Sequence, residues 1–169
     1  KGRIGDVVLF EGWNALSRIA VYDQPMGPWA LGPKYKGPVV TGHMMDIDAS
    51  AATPVMPKSG PEGHEFLRYE LTAVGYHAAP KARGLVIGAG GGRDILTAFM
   101  HGMKQVDAVE INPLIADVVM RDKFAEYSGN LYKRPGLTVH VADGRTFVRR
   151  SHDKFDSIQL SLVDTWAAT

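Results

Sequence analysis

A run of glycines between an apolar segment and an amphipathic one constrains this chain more than any other part of its sequence. The apolar segment covers residues 85–87, the amphipathic one covers residues 94–101, and between them lie Gly88, Ala89, Gly90, Gly91 and Gly92. Glycine adopts positive φ without strain and lets a ligand approach the main chain, and the free N–H groups of a following helix face that ligand. The run therefore predicts a strand, a loop and a helix that bind a nucleotide-like cofactor, with a purely structural turn as the alternative.

After residue 80, apolar segments that suit strands alternate with segments that suit helices. Strands are predicted over residues 85–87, 105–110, 137–141 and 157–163, and helices over residues 94–101, after Pro113 and over residues 145–150. Strands that alternate with helices at this interval are typical of βαβ units. The pattern predicts an α/β fold with a parallel, doubly wound sheet.

The N-terminal part of the chain has a different sequence pattern. Seven of the ten prolines lie before residue 62, and short apolar runs alternate there with turn-forming residues. Short strands joined by tight turns are typical of such a sequence. We therefore predict a β-hairpin subdomain over residues 1–64 and a nucleotide-binding domain over residues 65–169, which opens with a helix over residues 65–74.

Composition excludes several classes of function. The formal charge of +1 is too small for a protein that binds a nucleic-acid backbone, and the absence of cysteine excludes disulfides, thiolate metal sites and cysteine nucleophiles. No apolar run reaches the length of about 18 residues that a membrane span needs. We expect a cytoplasmic protein, or the cytoplasmic domain of a membrane-associated one. Because Lys1 is not an initiator Met, we expect a piece of a longer chain.

Two acidic residues follow the predicted strands at positions where a nucleoside would lie. Glu110 ends the second strand, 18 residues after Gly92, and a carboxylate there can accept hydrogen bonds from both ribose hydroxyls. Asp143, followed by Gly144, comes directly after the third strand, where it can accept from an adenine amino group. Each acid has a plainer alternative: Glu110 as a solvated residue before the next helix, and Asp143 as a helix N-cap.

The spacing of the glycines separates two classes of cofactor. A dinucleotide site requires G-x-G-x-x-G with a small third residue, and that position here is Arg93. The G-x-G-x-G spacing and the second acid favour S-adenosylmethionine. A nicotinamide-dependent dehydrogenase and a nucleoside-binding domain without catalysis remain alternatives. We predict no metal site, because on a strand His43 would point away from Asp46 and Asp48.

Four short segments carry a further signal. They read LVIGAGGG at residues 85–92, VEINP at 109–113, DGRTF at 143–147 and KFDSI at 154–158. Together they resemble the successive motifs of the spermidine synthases and their membrane-associated relatives, within the class I S-adenosylmethionine-dependent transferases. The resemblance implies a Rossmann-like methyltransferase sheet, truncated here after the fourth strand, that follows a small β-hairpin subdomain.

The resemblance also implies a reaction and its residues. The cofactor would be S-adenosylmethionine or decarboxylated S-adenosylmethionine, and a methyl or aminopropyl group would pass to a small amine or polyamine. The residues implied in cofactor binding are the glycine run with Glu110, Ile111, Asp143 and Gly144. Ser161 and Asp164 would be the catalytic residues beside the acceptor. The open edge of a truncated sheet favours a homodimer.

The chain departs from the family pattern at two positions. Family members carry an aspartate in the glycine loop, where this chain has Gly91, and an aspartate base after the fourth strand, where it has Ser161. A serine hydroxyl is a poor general base. These departures argue against aminopropyl transfer to putrescine and leave methyl transfer open, with Asp164 to orient or deprotonate the acceptor. We expect Tyr76 and His77 to pack in the fold rather than to line the pocket.

Overall fold

Two four-stranded sheets form the part of the chain that the computed structural model describes, residues 7–78, 82–161 and 163. The first sheet is antiparallel and contains, in spatial order, β1 (Val8–Trp13), β2 (Arg18–Met26), β3 (Gly42–Ile47) and β4 (Ala51–Val55). The second is parallel and contains β5 (Arg83–Ile87), β6 (Gln105–Glu110), β7 (Leu137–Val141) and β8 (Ser157–Leu160). The predicted α/β fold with an N-terminal hairpin sheet is confirmed.

The turn between β3 and β4 shows how the antiparallel sheet is closed. Asp48 and Ala49 have positive φ, 54° and 55°, which is the geometry of the type I′ turn that matches the twist of hairpin strands. The Asp46 carboxylate accepts from the backbone N–H of Ala49 at 2.8 Å and fixes this turn. β4 has no clear signal in the sequence because Pro54 lies within it, but β4 is an edge strand, where proline is tolerated.

The segment between the sheets is not the single helix predicted over residues 65–74. It consists of a 3₁₀-helix Pro61–Tyr69, a 3₁₀ turn Leu71–Ala73 and α1 (Val74–Ala78). Glu70 separates the first two pieces with an extended backbone, φ −81° and ψ 153°. Its buried carboxylate accepts from the backbone N–H of Trp29 at 2.6 Å and pairs with Arg93 at 2.7 Å. These tertiary contacts override the local helical periodicity.

The parallel sheet follows the predicted alternation closely. β6 and β7 have the predicted bounds, whereas β8 ends at Leu160 rather than at residue 163. The intervening helices are α2 (Arg93–Met100), a π-helix Leu114–Lys123 and α3 (Gly144–Arg150). The segment after Pro113 is thus a π-helix, and it buries Ile115 and Val119 on one face. None of the helices in the described part of the chain is long and apolar enough to cross a membrane.

The order of the parallel strands, β7-β6-β5-β8, contains a change of direction. From β5 the chain adds β6 and β7 on one side, and then returns to add β8 on the other. In open α/β sheets, ligands bind outside the carboxyl ends of the strands at such a switch point. Because β5 ends before Gly88 and β8 ends before Ser161, the topology brings the glycine run and the predicted acceptor residue to the same edge.

One hydrophobic cluster joins the two sheets. It includes Ile19, Val21, Met45 and Val55 from the antiparallel sheet, Val86 and Ala108 from the parallel sheet, and Phe66, Leu67 and Tyr76 between them. Full burial of a Val, Leu, Ile, Phe or Met side chain stabilises the fold by about 1.5–3 kcal/mol relative to leaving that side chain exposed. The antiparallel sheet therefore packs directly on the domain that carries the glycine run, and its edge reaches the candidate site.

Candidate functional site

The glycine run forms a loop over the carboxyl ends of β5 and β6. Gly88, Gly90 and Gly92 have positive φ of 81°, 49° and 92°, a region that other residues adopt only with strain. The backbone N–H groups of Gly88 and Ala89 both donate to the carbonyl of Val109, at 2.8 and 3.1 Å. The loop is therefore held against β6, with main-chain atoms rather than side chains facing the edge of the sheet.

Gly91 is packed against the end of β4. A Cβ atom built on Gly91 would overlap the carbonyl oxygen of Pro54, and the Gly91 carbonyl accepts from the backbone N–H of Met56 at 3.0 Å. A side chain at this position requires β4 to move. This contact gives a physical reason for glycine at the position where the resembled family carries an aspartate.

Glu110 lies at the carboxyl end of β6 with 5% of its surface exposed. One carboxylate oxygen, Oε2, accepts from the backbone N–H of Gly90, and the other, Oε1, accepts from the backbone N–H of Asn112, both at 2.9 Å. Burial raises the pKa of Glu110, and the backbone hydrogen bonds from Asn112 and Gly90 oppose that rise. The carboxylate is thus fixed beside the glycine loop, as the sequence predicts.

Asn112 is a residue of this edge that the sequence analysis did not identify. Its amide accepts from the Asn14 side chain at 2.6 Å and donates to the Ser17 hydroxyl at 2.8 Å. The same side chain accepts from the backbone N–H of Leu114 at 3.0 Å, at the start of the π-helix. Asn112 therefore links the β1–β2 turn to the segment that holds Glu110. An Asn-Pro pair after a strand, a common turn signal, marks it in the sequence.

Ile111, Asp143 and Gly144 extend this edge toward β7. Ile111 is 53% exposed, whereas Glu110 and Asn112 on either side of it are buried. Asp143 is the N-cap of α3, because its carboxylate accepts from the backbone N–H of Thr146 at 2.7 Å. Hydrogen bonds with the Thr146 side chain and with its backbone N–H lower the pKa of Asp143. A Cβ on Gly144 would lie 2.5 Å from the Ile87 side chain, so a larger residue there would displace Ile87. The structure thus shows the N-cap alternative for Asp143, and its contact with adenine stays a prediction.

Ser161 lies on the opposite side of the glycine loop, directly after β8. Its hydroxyl accepts from the Gln159 amide, which also donates to the carbonyl of Thr72 at 3.0 Å. Its side chain also makes a hydrogen bond with Asp94, the second residue of α2. The other predicted acceptor residue, Asp164, lies outside the described residues.

Asp94 is a buried carboxylate that sequence reasoning missed. It is 8% exposed, and burial raises its pKa, although hydrogen bonds from Ser161 and Gln159 and the charge of Arg93 oppose the rise. In the sequence it resembles an ordinary acid in the first turn of a helix. Only the return of β8 beside β5 brings it next to Ser161, so no local pattern identifies it.

Tyr76, on α1, is fully buried, as expected for a packing residue. Its ring stacks on His101 with centroids 5.5 Å apart. Burial, together with the nearby charge of Asp94, raises the pKa of its hydroxyl. Within the described residues this hydroxyl has no hydrogen-bond partner. The expected packing is therefore combined with a buried polar atom that has no hydrogen-bond partner among the described residues.

Arg93 occupies the position that a dinucleotide site reserves for a small residue. Its guanidinium pairs with the buried Glu70 carboxylate at 2.7 Å and lies 5.7 Å from the Trp29 ring centroid. A large, buried, ion-paired side chain thus fills the start of α2, where a dinucleotide site requires a small residue for close packing of the helix on the strand. The structure supports the sequence argument against a dinucleotide.

Comparison with known proteins gives one family. The family model described as "Spermine/spermidine synthase domain" matches residues 67–168. A polyamine aminopropyltransferase from Streptococcus pneumoniae is 27% identical over 166 residues, which cover 95% of this chain and 49% of that protein. One from Buchnera aphidicola is 28% identical over 123 residues, or 70% of this chain and 40% of that protein. The chain spans about half or less of the length of these curated relatives.

Solved structures with a similar fold come from the same group of proteins. A spermidine synthase from Thermotoga maritima aligns with a TM-score of 0.58 and 18% identity, over 90% of this chain and 47% of that one. A spermidine synthase in complex with the transition state analogue AdoDATO aligns with a TM-score of 0.57 and 19% identity, over 90% of this chain and 46% of that one. At such low identity these similarities establish the fold.

Proposed function

Because the chain belongs to the spermine/spermidine synthase domain family, we propose that it binds decarboxylated S-adenosylmethionine and transfers the aminopropyl group to a small amine or polyamine. The observation that carries the proposal is the Glu110 carboxylate, which two backbone N–H groups hold beside the glycine loop. The names of the curated relatives support the transferred group. The neighbour solved with AdoDATO supports the class of donor.

The residues at this edge fit the adenosine part of such a donor. A carboxylate offers about four acceptor sites, and backbone N–H groups of Gly90, Asn112 and Ile111 form hydrogen bonds with Glu110, so the carboxylate keeps capacity to accept from the ribose. Exposed Ile111 offers an apolar surface to the adenine ring. Glu110 on β6 lies opposite Val141 on β7. Asp143 follows Val141 by two residues, which places it near the proposed position of the adenine.

The chain contributes mainly position to the proposed reaction. When bound, the donor supplies a carbon activated by a positively charged sulfur, and an amine nitrogen displaces that sulfur. Holding the two reactants in line lowers the entropic part of the barrier. Glu110 fixes the sugar, and the glycine loop lets the donor approach main-chain atoms. Ser161 follows Leu160, which pairs with Ile87, so Ser161 lies level with Gly88 on the acceptor side.

Methyl transfer from S-adenosylmethionine is a second candidate, and Gly91 is the observation that favours it. By the resemblance, the missing aspartate engages the amino end of the decarboxylated donor, and the contact with Pro54 leaves no room for a side chain at Gly91. The dehydrogenase alternative is not favoured, because the buried Arg93–Glu70 pair occupies the start of α2.

Calorimetric titration tests the donor site. We expect the chain to bind decarboxylated S-adenosylmethionine and methylthioadenosine and not NAD. Glu110→Gln, which replaces an acceptor by a donor, should weaken binding at least tenfold, or about 1.4 kcal/mol. The control is Asp117→Asn, an exposed carboxylate on the π-helix that pairs with Arg121. Binding of NAD alone, or equal donor affinity in Glu110→Gln and the wild type, would refute the proposal.

Product analysis separates the two transfer reactions. Incubation with each sulfonium donor and a panel of amines, followed by mass spectrometry, reports whether the acceptor gains an aminopropyl or a methyl group. We expect aminopropyl gain and release of methylthioadenosine. Methyl gain and release of S-adenosylhomocysteine would favour the second candidate instead.

A further inference from the structure

Three polar side chains meet on the acceptor side of the glycine loop, and we refer to Asp94, Ser161 and Gln159 as the Asp94 cluster. Ser161 and Gln159 form hydrogen bonds with the Asp94 carboxylate. The Gln159 amide also donates to the Ser161 hydroxyl. The members come from α2 and from the end of β8, so only the folded chain brings them together.

The charges around Asp94 leave it without a dedicated cation in the described part of the chain. Arg93 precedes it on α2, but the Arg93 guanidinium is paired with Glu70 at 2.7 Å. Glu70 itself adds a like charge that interacts with Asp94. The charge of Asp94 acts on the buried Tyr76 hydroxyl of α1, and the two groups from β8, Gln159 and Ser161, are uncharged. A buried carboxylate in such surroundings is costly and is characteristic of functional sites.

The acceptors of the cluster indicate the kind of ligand that would complete it. The Asp94 carboxylate is buried, and within the described part of the chain its hydrogen-bond partners are the Ser161 and Gln159 side chains. The Asp94 carboxylate has about four acceptor sites, and the Ser161 oxygen can accept a second hydrogen bond beside that from Gln159. A group with several N–H bonds satisfies both. An amine has this chemistry.

We propose that Asp94, acting through Ser161, receives the proton of the acceptor amine and so replaces the aspartate that the resembled family carries at position 161. This inference rests on the proposed function. The amine nitrogen forms a bond to the donor carbon, the carbon–sulfur bond breaks, and its electron pair stays on sulfur as a neutral thioether. The nitrogen passes its proton to the Ser161 oxygen while the Ser161 hydroxyl proton moves to the Asp94 carboxylate. Ser161 touches the substrate, and Asp94 is a positioning residue and the final proton acceptor.

The position of the cluster is consistent with this step. Ser161 lies level with Gly88, the first residue of the glycine loop, and Asp94 is the second residue of the helix that follows the loop. The burial that raises the pKa of Asp94 brings it closer to the pH at which a general base works well. The arrangement removes the difficulty that a serine alone is a poor base.

The test measures methylthioadenosine release from decarboxylated S-adenosylmethionine against pH, with putrescine, cadaverine and spermidine as acceptors. In the wild type, kcat should fall at acid pH as Asp94 becomes protonated. Asp94→Asn should lower kcat about 100-fold, within the usual range for general acid–base catalysis, and abolish the acid limb of the profile. Donor affinity by calorimetry should stay within about threefold. Asp117→Asn, on the exposed face of the π-helix, is the matched control and should behave as the wild type.

Two further variants separate a chemical role from a structural one. Ser161→Ala should lose the same acid limb while keeping the buried carboxylate. In Asp94→Asn/Ser161→Asp the carboxylate moves to position 161, and kcat should recover at least tenfold over Asp94→Asn alone. An acid limb that persists in Asp94→Asn, or a double variant without recovery, would overturn the proposal. The proposal would also be overturned if Asp164→Asn, and not Asp94→Asn, abolished the acid limb.

The outcome also distinguishes this inference from the proposed function. Wild-type chain that binds the decarboxylated donor but releases no methylthioadenosine with any amine overturns the proton route and leaves the donor site standing. If the chain does not bind the donor, both the proton route and the proposed function are overturned. Circular dichroism melting of each variant shows whether it is folded, and Ser161→Ala, at a half-buried position, decides the matter if Asp94→Asn does not fold.

Discussion

The two carboxylates at the carboxyl edge of the parallel sheet are held in different ways. Glu110, on the proposed donor side, accepts from the backbone N–H groups of Gly90 and Asn112, whereas Asp94, on the proposed acceptor side, bonds to the side chains of Ser161 and Gln159. Backbone donors fix a carboxylate in one place. Side-chain donors can rotate, and a hydroxyl among them can pass on a proton. The contrast suits one carboxylate that positions a sugar and another that accepts a proton.

Arg93 and Glu70 lie between these two sides. Their buried ion pair anchors the start of α2, and so holds both the glycine loop before it and Asp94 within it. The variants below disturb this shared anchor first, then one side at a time, and the expected effects decrease in that order.

Glu70→Ala should have the largest effect, because it leaves the Arg93 guanidinium buried without its partner. Removing one member of a buried pair costs about 3–5 kcal/mol. The control is Glu65→Ala, which breaks a 3.1 Å pair with Arg68 in which both side chains are well exposed, and such pairs contribute about 0–1 kcal/mol. Urea unfolding gives both values, and equal losses would show that the anchor is not needed.

Gly91→Asp should destabilise the donor side by about 3 kcal/mol, because forced overpacking displaces backbone or side chains. The new Cβ would overlap the Pro54 carbonyl oxygen. Gly60→Asp is the matched control: nothing lies within 4 Å of a Cβ on Gly60, and its stability should stay within about 0.5 kcal/mol of the wild type. If Gly91→Asp is as stable as Gly60→Asp and gains aminopropyl transfer, the packing of β4 is not the reason for this glycine.

The pH dependence of stability should have opposite signs at Asp94 and Asp143. Burial raises the pKa of Asp94 above the unfolded value of about 3.9, so its carboxylate destabilises the fold increasingly as pH rises through the folded-state pKa. The Thr146 hydrogen bond lowers the pKa of Asp143. Asp143 therefore adds stability that is present above the unfolded pKa and is lost as pH falls through the folded-state pKa.

Urea unfolding of wild type, Asp94→Asn and Asp143→Asn at several pH values checks these signs. As pH rises from about 3 to 7 across the ordinary carboxyl range, the stability of the wild type should fall relative to Asp94→Asn and rise relative to Asp143→Asn. Parallel curves for the two differences would mean that the two aspartates share one environment, contrary to the structure.

Ile111→Ala should have the smallest effect. Because the side chain is 53% exposed, stability should change by less than about 0.5 kcal/mol. Loss of apolar contact with adenine should weaken donor binding about fivefold, equivalent to about 1 kcal/mol. Ile158→Ala on β8, where the side chain is 56% exposed, is the control and should leave the affinity unchanged. Equal affinities in the two variants would place the adenine elsewhere.

Local sequence signals were sufficient for the parallel sheet and for the positions of the glycine loop and Glu110. The bounds of β6 and β7, the glycine loop and Glu110 at a strand end follow from apolar periodicity, glycine spacing and the order of elements, all of which act over short distances. The division at residues 64 and 65 and the homodimer stay predictions.

The features that the sequence did not reveal depend on contacts between distant segments. Glu70 interrupts a helical pattern because Trp29 and Arg93 hold its carboxylate. Asp94 meets Ser161 only after β8 returns beside β5. Neither contact produces a local sequence pattern, so the approach of Asp94 to Ser161 became visible only in the folded chain.

A crystal structure with methylthioadenosine tests the central claim most directly. The account predicts that both ribose hydroxyls lie within hydrogen-bond distance of the Glu110 carboxylate, with the adenine beside Ile111. A nucleoside bound away from Glu110, with that carboxylate still bonded only to Gly90 and Asn112, would contradict it.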